Sequence, residues 1–165
     1  MEKNPAGLQA SSCSFDLTPL GSSLLAATGS PSLLYHHGDI VTRLPPCGSN
    51  LGCSALNPCH AAAVWPSPTA ARMAVVRGSA SPGAASRPLA ITFQAHPEFS
   101  TPSGARVLER LLREGDAPVR GDDWLTRALP ALIDERVTAN ALQLVGAAMK
   151  LLWPTLLPPT SSKAS

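Results

Sequence analysis

The chain has 165 residues, a formal net charge of +2 and 44% hydrophobic residues. That length and apolar share suit one domain with a buried core. The small net charge, with no basic block, gives no electrostatic footprint for nucleic acid. Behind Met1-Glu2-Lys3-Asn4-Pro5 there is no apolar core of a secretory signal. No apolar run reaches the roughly 18 residues of a membrane span, so the expected location is cytoplasmic, with neither a nucleic-acid nor a membrane partner.

In chain order, residues 1–10 read as a loop around Asn4-Pro5 and Gly7. Residues 12–17 alternate as a strand. Thr18 and Pro19 then open a short helix through Leu25, Thr18 as the N-cap and Pro19 at the first helical position. Gly29-Ser30-Pro31-Ser32 is a turn. From Ser32 the chain predicts a strand into His36-His37, a kink at Gly38 and a short continuation through Val41. Pro45-Pro46-Cys47-Gly48 is a turn, and residues 51–54 form a short strand. Residues 60–64 and 72–76 are predicted strands. Residues 78–88, rich in Ser, Ala, Gly and Pro, read as a disordered insertion.

Beyond Phe99 a helix is predicted over 100–115. Thr101 caps it, and Val107, Leu108, Leu111 and Leu112 make its apolar stripe. Glu109, Arg110, Arg113 and Glu114 face water. Residues 122–133 and 136–153 predict two more helices. The last carries Val137, Ala141, Leu144, Val145, Ala148, Met149 and Leu152 on one side. Residues 154–165 read as a disordered tail. Of the four cysteines, Cys47, Cys53 and Cys59 are each separated by five residues. Zinc ligands usually pair about two to four residues apart, so neither a metal nor a cofactor is expected, and the thiols read as reduced.

The chemistry concentrates in Ile91-Thr92-Phe93-Gln94-Ala95-His96-Pro97-Glu98-Phe99. Residues 89–93 read as a buried strand. Pro97 cannot donate to a sheet ladder, which ends the strand near Ala95. His96 and Glu98 then lie just past a strand end, where α/β folds place reactive groups. A carboxylate that orients an imidazole supplies two parts of a nucleophile–base–orienter triad.

The string Gln94-Ala95-His96-Pro97-Glu98-Phe99 closely resembles the segment carrying the catalytic His and Glu of class I glutamine amidotransferases. A second string, His37-Gly38-Asp39-Ile40-Val41 followed by Leu44-Pro45-Pro46, is similar to a signature of the same family. Further resemblances are Asn4-Pro5-Ala6-Gly7, Leu17-Thr18-Pro19-Leu20-Gly21 and Leu51-Gly52-Cys53-Ser54. They point to its cytosolic branch of GMP-synthase-like and γ-glutamyl peptidase-like members. The resemblance covers residues 1–153 and corresponds to the C-terminal part of such a domain.

That resemblance implies an α/β, flavodoxin-like three-layer fold, with a mostly parallel sheet, an N-terminal truncation and C-terminal helices. It implies a γ-glutamyl amide or glutamine as substrate, hydrolysed by a Cys-His-Glu triad. His96 and Glu98 would be catalytic, and Tyr35, His36 and His37 would cradle the substrate. Cys53 falls on a structural position of the family. The nucleophile region falls before Met1, so the chain as given is expected to be inactive. A missing N-terminal half or a synthetase partner would complete it. The alternative is a non-catalytic, degenerate amidotransferase-like binding module.

Overall fold

The computed structural model describes residues 1–4, 9–55, 57–78, 87–116 and 134–153. The expectations for residues 5–8, 79–86, 122–133 and 154–165 lie outside these. In chain order the elements are β1 (Glu2–Lys3), β2 (Gln9–Ser14), β3 (Asp16–Leu17), α1 (Pro19–Leu25), β4 (Ser32–His37) and β5 (Asp39–Ile40). They continue with β6 (Gly48–Cys53), β7 (Ala61–Val64), α2 (Pro68–Arg77), β8 (Ala90–Phe93), α3 (Pro102–Leu111) and α4 (Glu135–Leu152). A 3₁₀ turn, Pro97–Ser100, precedes α3, and a π turn, Leu112–Asp116, follows it. The molecule is mixed α/β, and no described helix is long and apolar enough to cross a membrane.

The strands form two pairs, β1–β5 and β2–β4, and a four-stranded sheet in the order β3–β6–β7–β8. Every one of these pairings is antiparallel. The mostly parallel sheet expected from the family resemblance is thus corrected for the described strands. At β6 and β7 the reason is length. The 54–60 connection is shorter than the roughly dozen residues a parallel crossover needs, so it folds back as a hairpin. The loop expected over residues 1–10 is corrected too, since β1 pairs with β5 and β2 starts at Gln9.

Helix α1 starts and ends on local chemistry. Thr18 Oγ1 accepts from Gly21 N–H at 3.0 Å and donates to the Asn50 carbonyl at 3.0 Å. One hydroxyl therefore caps the helix and ties it to β6. A Cβ on Gly21 would lie 1.9 Å from the Leu51 carbonyl oxygen, so only glycine allows this approach. Helix α2 replaces the strand expected over 72–76. Ser67 Oγ accepts from Ala70 N–H at 3.2 Å, Pro68 opens the first turn and Gly78 closes the helix at φ 63°. Those start and stop residues decide the local state over the β-branched pair Val75-Val76. Only Ala71 and Ala74 of α2 are buried, while Met73, Val75 and Val76 are exposed.

The apolar stripe of α3 is offset from the expected one. Ala105, Leu108 and Leu112 are buried, whereas Val107 and Leu111 are 52% and 45% exposed. The charged face is as expected, with Arg110–Glu114 at 2.7 Å and Arg113–Glu109 at 2.9 Å, both i,i+4. Helix α4 is capped by Asp134, whose carboxylate accepts from Arg136 N–H at 2.8 Å. It buries Val137, Ala141, Leu144 and Ala148 and leaves Met149 exposed. The main core joins β4, β6 and β7 to α1, α2 and α4. A smaller core of Leu34, Ala105, Leu108, Leu112 and Val137, with Phe99 against it, underlies the 3₁₀ turn.

Candidate functional site

Strand β8 ends at Phe93, and the next three residues leave the four-stranded sheet for β4. Gln94 N–H donates to the His60 carbonyl at 2.8 Å, and His96 N–H donates to the Leu34 carbonyl at 2.8 Å. The Gln94 side chain is a two-ended strut. Its Nε2 donates to the Asp39 carbonyl at 2.6 Å, and its Oε1 accepts from Asn57 Nδ2 at 2.6 Å. It thereby ties the β4–β5 kink at Gly38 to the 54–60 loop, and sets where His96 docks.

Pro97 then starts the 3₁₀ turn, in which Phe99 N–H returns to the His96 carbonyl at 3.0 Å. The turn brings Glu98 Oε1 to 2.8 Å from His96 Nδ1. An ionised carboxylate only accepts, so Nδ1 carries a hydrogen and the neutral ring keeps its lone pair on Nε2. Phe99 stacks on the same imidazole, with centroids 4.8 Å apart and planes at 25°. The ring is thus fixed from one nitrogen and one face. Both side chains still meet solvent, His96 at 34% and Glu98 at 62% exposure. Behind them, Thr101 Oγ1 donates to the Glu98 carbonyl at 3.3 Å and accepts from Gly104 N–H at 3.0 Å. A cleft of about 380 Å³ runs from Pro97, Glu98 and Thr101 to Thr138, Leu142 and Val145 of α4.

The three expected substrate residues separate by strand alternation. Leu33 and Tyr35 pack in the main core and Leu34 in the smaller one. His37 therefore shares the Tyr35 face of β4, and His36 alternates to the other. The Tyr35 ring meets His37 edge-on at 5.4 Å and His60 edge-on at 5.0 Å, and His60 stacks on Phe15 at 5.2 Å. Burial raises the Tyr35 phenol far above its ordinary range, with Cys13 adding to the effect. Burial lowers the His37 pKa, the Asp39 backbone opposes this, and His96 and His36 add repulsion. Burial, then repulsion from His37, brings His60 down to about 4. The site therefore couples His37 to both His96 and His60. Tyr35 and His37 do not line the cleft beside Glu98.

Sequence reasoning missed His60 and Asn57 as members of this region. The only signal was a histidine next to an alanine-rich strand; nothing local pairs residue 57 with 94 or residue 60 with 35. Of the cysteines, Cys59 adjoins His60 and Cys13 acts on Tyr35. Cys53 stands opposite Asp16 in the β3–β6 pair, with β7 between β6 and β8. Burial, with Cys53 beside it, pushes the Cys59 thiol up to about 11. The thiols of Cys13 and Cys59 bond to the carbonyls of Ser14 and Ala61. Among the described residues no cysteine hydrogen-bonds His96. Neither family models, curated proteins nor solved structures match the chain.

Proposed function

We propose that the protein is class I glutamine amidotransferase-like, with His96 as the base and Glu98 as its orienter acting on a γ-glutamyl amide. The observation that supports this reading is the 2.8 Å bond from His96 Nδ1 to Glu98 Oε1 at the end of β8. That bond leaves Nε2 to take a proton from a nucleophile and return it to the leaving amine. Among the described residues no cysteine hydrogen-bonds His96 to serve as the thiol that attacks the amide carbonyl. The chemistry accordingly needs a nucleophile supplied from outside this arrangement, in the same chain or from a partner. In any form of the protein that releases ammonia from glutamine, His96→Ala should lower kcat by about 10²–10⁴-fold.

The test on the protein as it stands is a titration with L-glutamine, following the His96 ring protons by NMR. A saturable shift at His96 is expected, and no response at that ring would overturn the reading. Binding without any ammonia release, even with a nucleophile-bearing partner present, would favour the degenerate binding module. The position of Cys53 opposite Asp16, across β7 from β8, is the observation behind that second reading.

A further inference from the structure

Helix α4 has two apolar sides. The first, Val137, Ala141, Leu144 and Ala148, is buried in the two cores. The second faces out: Leu142 is 66%, Met149 44% and Trp153, just past the helix end, 51% exposed. With Glu135, Ala139 and Gly146, these residues recur at alternating steps of four and three. That is the spacing of a seam that packs against another helix. The seam also alternates in size, with Ala139 and Gly146 small and Leu142, Met149 and Trp153 large. A Cβ on Gly146 would meet nothing within 4 Å, so that notch is open. Leu142 stands as a ridge between two hollows, one of about 380 Å³ towards Glu98 and one of about 500 Å³ towards Leu24 and Ala26. A surface helix ordinarily carries polar residues on its outer side, so an exposed apolar seam is a feature to explain.

We propose that this face of α4 docks a second copy of the chain, the two α4 helices lying antiparallel about a two-fold axis. In that orientation the seam is complementary to itself. Setting Leu142 on the partner's Gly146 also sets Met149 on the partner's Ala139 and Trp153 beside the partner's Glu135. Large side chains then fill small notches along the whole helix. A parallel pair would set Leu142 on Leu142 and leave the Gly146 notch empty. Charge points the same way. Glu135 and Lys150 stand near opposite ends of α4, both exposed, and make no ion pair among the described residues. In the antiparallel pair each Lys150 falls about three residues, or about 4.5 Å along the axis, from the partner's Glu135. A lysine side chain spans that distance. Parallel helices would bring Lys150 beside Lys150. The two-fold uses the same patch on both copies, so assembly stops at a dimer. One helix pair lies at the small end of stable interfaces, so the dimer should dissociate on dilution. This inference goes beyond the reading of His96 and Glu98 and rests on no part of it.

The test is sedimentation of the whole protein from about 1 to 500 μM, a range that brackets a micromolar dissociation constant. The mass should rise with concentration from 17.1 kDa towards twice that value. Gly146→Leu fills the notch that the partner's Leu142 needs. The new side chain enters open space and favours the helix, so the variant should fold. It should weaken the dimer at least about tenfold, through overpacking at two equivalent contacts. Lys150→Glu should weaken it by about tenfold, because two exposed pairs turn from attraction to repulsion. Adding Glu135→Lys to that variant should restore the parent dimer. Far-UV circular dichroism at low concentration checks that each variant keeps its helices. A monomer at every concentration would overturn the proposal and pass the face to a helix of another protein. So would a dimer that Gly146→Leu leaves unchanged or tightens, or a charge exchange that fails to restore what Lys150→Glu removes.

Discussion

At the residue scale, two histidines in neighbouring segments have opposite surroundings. His96 is held by a carboxylate and an aromatic face at the solvent boundary. His60 is stacked inside, on Phe15 and against Tyr35. The Glu98 partner is 62% exposed, so its hydrogen bond to His96 adds little to stability. Glu98→Ala should change unfolding free energy by less than about 1 kcal/mol, while broadening or shifting the His96 ring signals. A large loss of stability in denaturant melts would show that Glu98 is structural. His60 contributes to acid sensitivity, as does His37, whose pKa burial also lowers. The His60 pKa is about 4 in the fold against 6.5 for the unfolded chain. Between these values the unfolded state binds the extra proton, so stability falls as pH drops from 6.5 towards 4. The loss is on the order of 3 kcal/mol, from about 1.4 kcal/mol per pKa unit. His60→Phe should flatten that window in melts at pH 7, 5 and 4. An unchanged pH slope in the variant would assign the acid sensitivity to other groups.

At the element scale, two positions place the His96 turn. Gln94 joins the Asp39 carbonyl to the Asn57 side chain, and Asn57 is 2% exposed. Gln94→Ala would leave the buried Asn57 Nδ2 without its bond, a cost of about 1–3 kcal/mol. It should also move His96 relative to His37, which ring contacts in a crystal structure of the variant would show. Gly104 is the second position. Alanine is the better helix former by about 1 kcal/mol, but a Cβ there would sit 2.1 Å from the Glu98 carbonyl oxygen. That atom is backbone and cannot swing away. Overpacking of about 1–3 kcal/mol then outweighs the propensity gain. Gly104→Ala should therefore destabilise the protein and lengthen the His96–Glu98 contact. A variant more stable than the parent would show that α3 can shift freely off the turn.

At the scale of the whole molecule, antiparallel pairings carry the described sheets, and two cores meet at β4. One face of β4 points Leu33 and Tyr35 into the main core, with His37 half-buried at the end of the same face, and the other points Leu34 beneath the 3₁₀ turn. The strand therefore joins the His96 turn to the rings around Tyr35. With Cys53 across β7 from β8 and the Cys59 thiol suppressed by burial, the protein alone should release no ammonia from glutamine above the buffer blank. Turnover lost in Cys53→Ala would identify that thiol as a nucleophile after all.

The sequence by itself determined much of what depends on neighbours along the chain, although residues 72–76 predict a strand despite the local start at Ser67-Pro68 and stop at Gly78 of α2. Thr18-Pro19 and Thr101-Pro102 start helices because a hydroxyl and a fixed φ act within one turn. The kink at Gly38 and the end of β8 before Pro97 follow from the same short-range rules. The pairing of His96 with Glu98 was legible too, since one proline turn separates them. Only the tertiary structure decided strand direction, which faces of α2 and α3 are buried, and which rings surround Tyr35. Those depend on contacts between distant residues, such as Asn57 with Gln94 and His60 with Tyr35. Local propensity leaves such contacts open, because they form only when burial of the two cores brings the segments together.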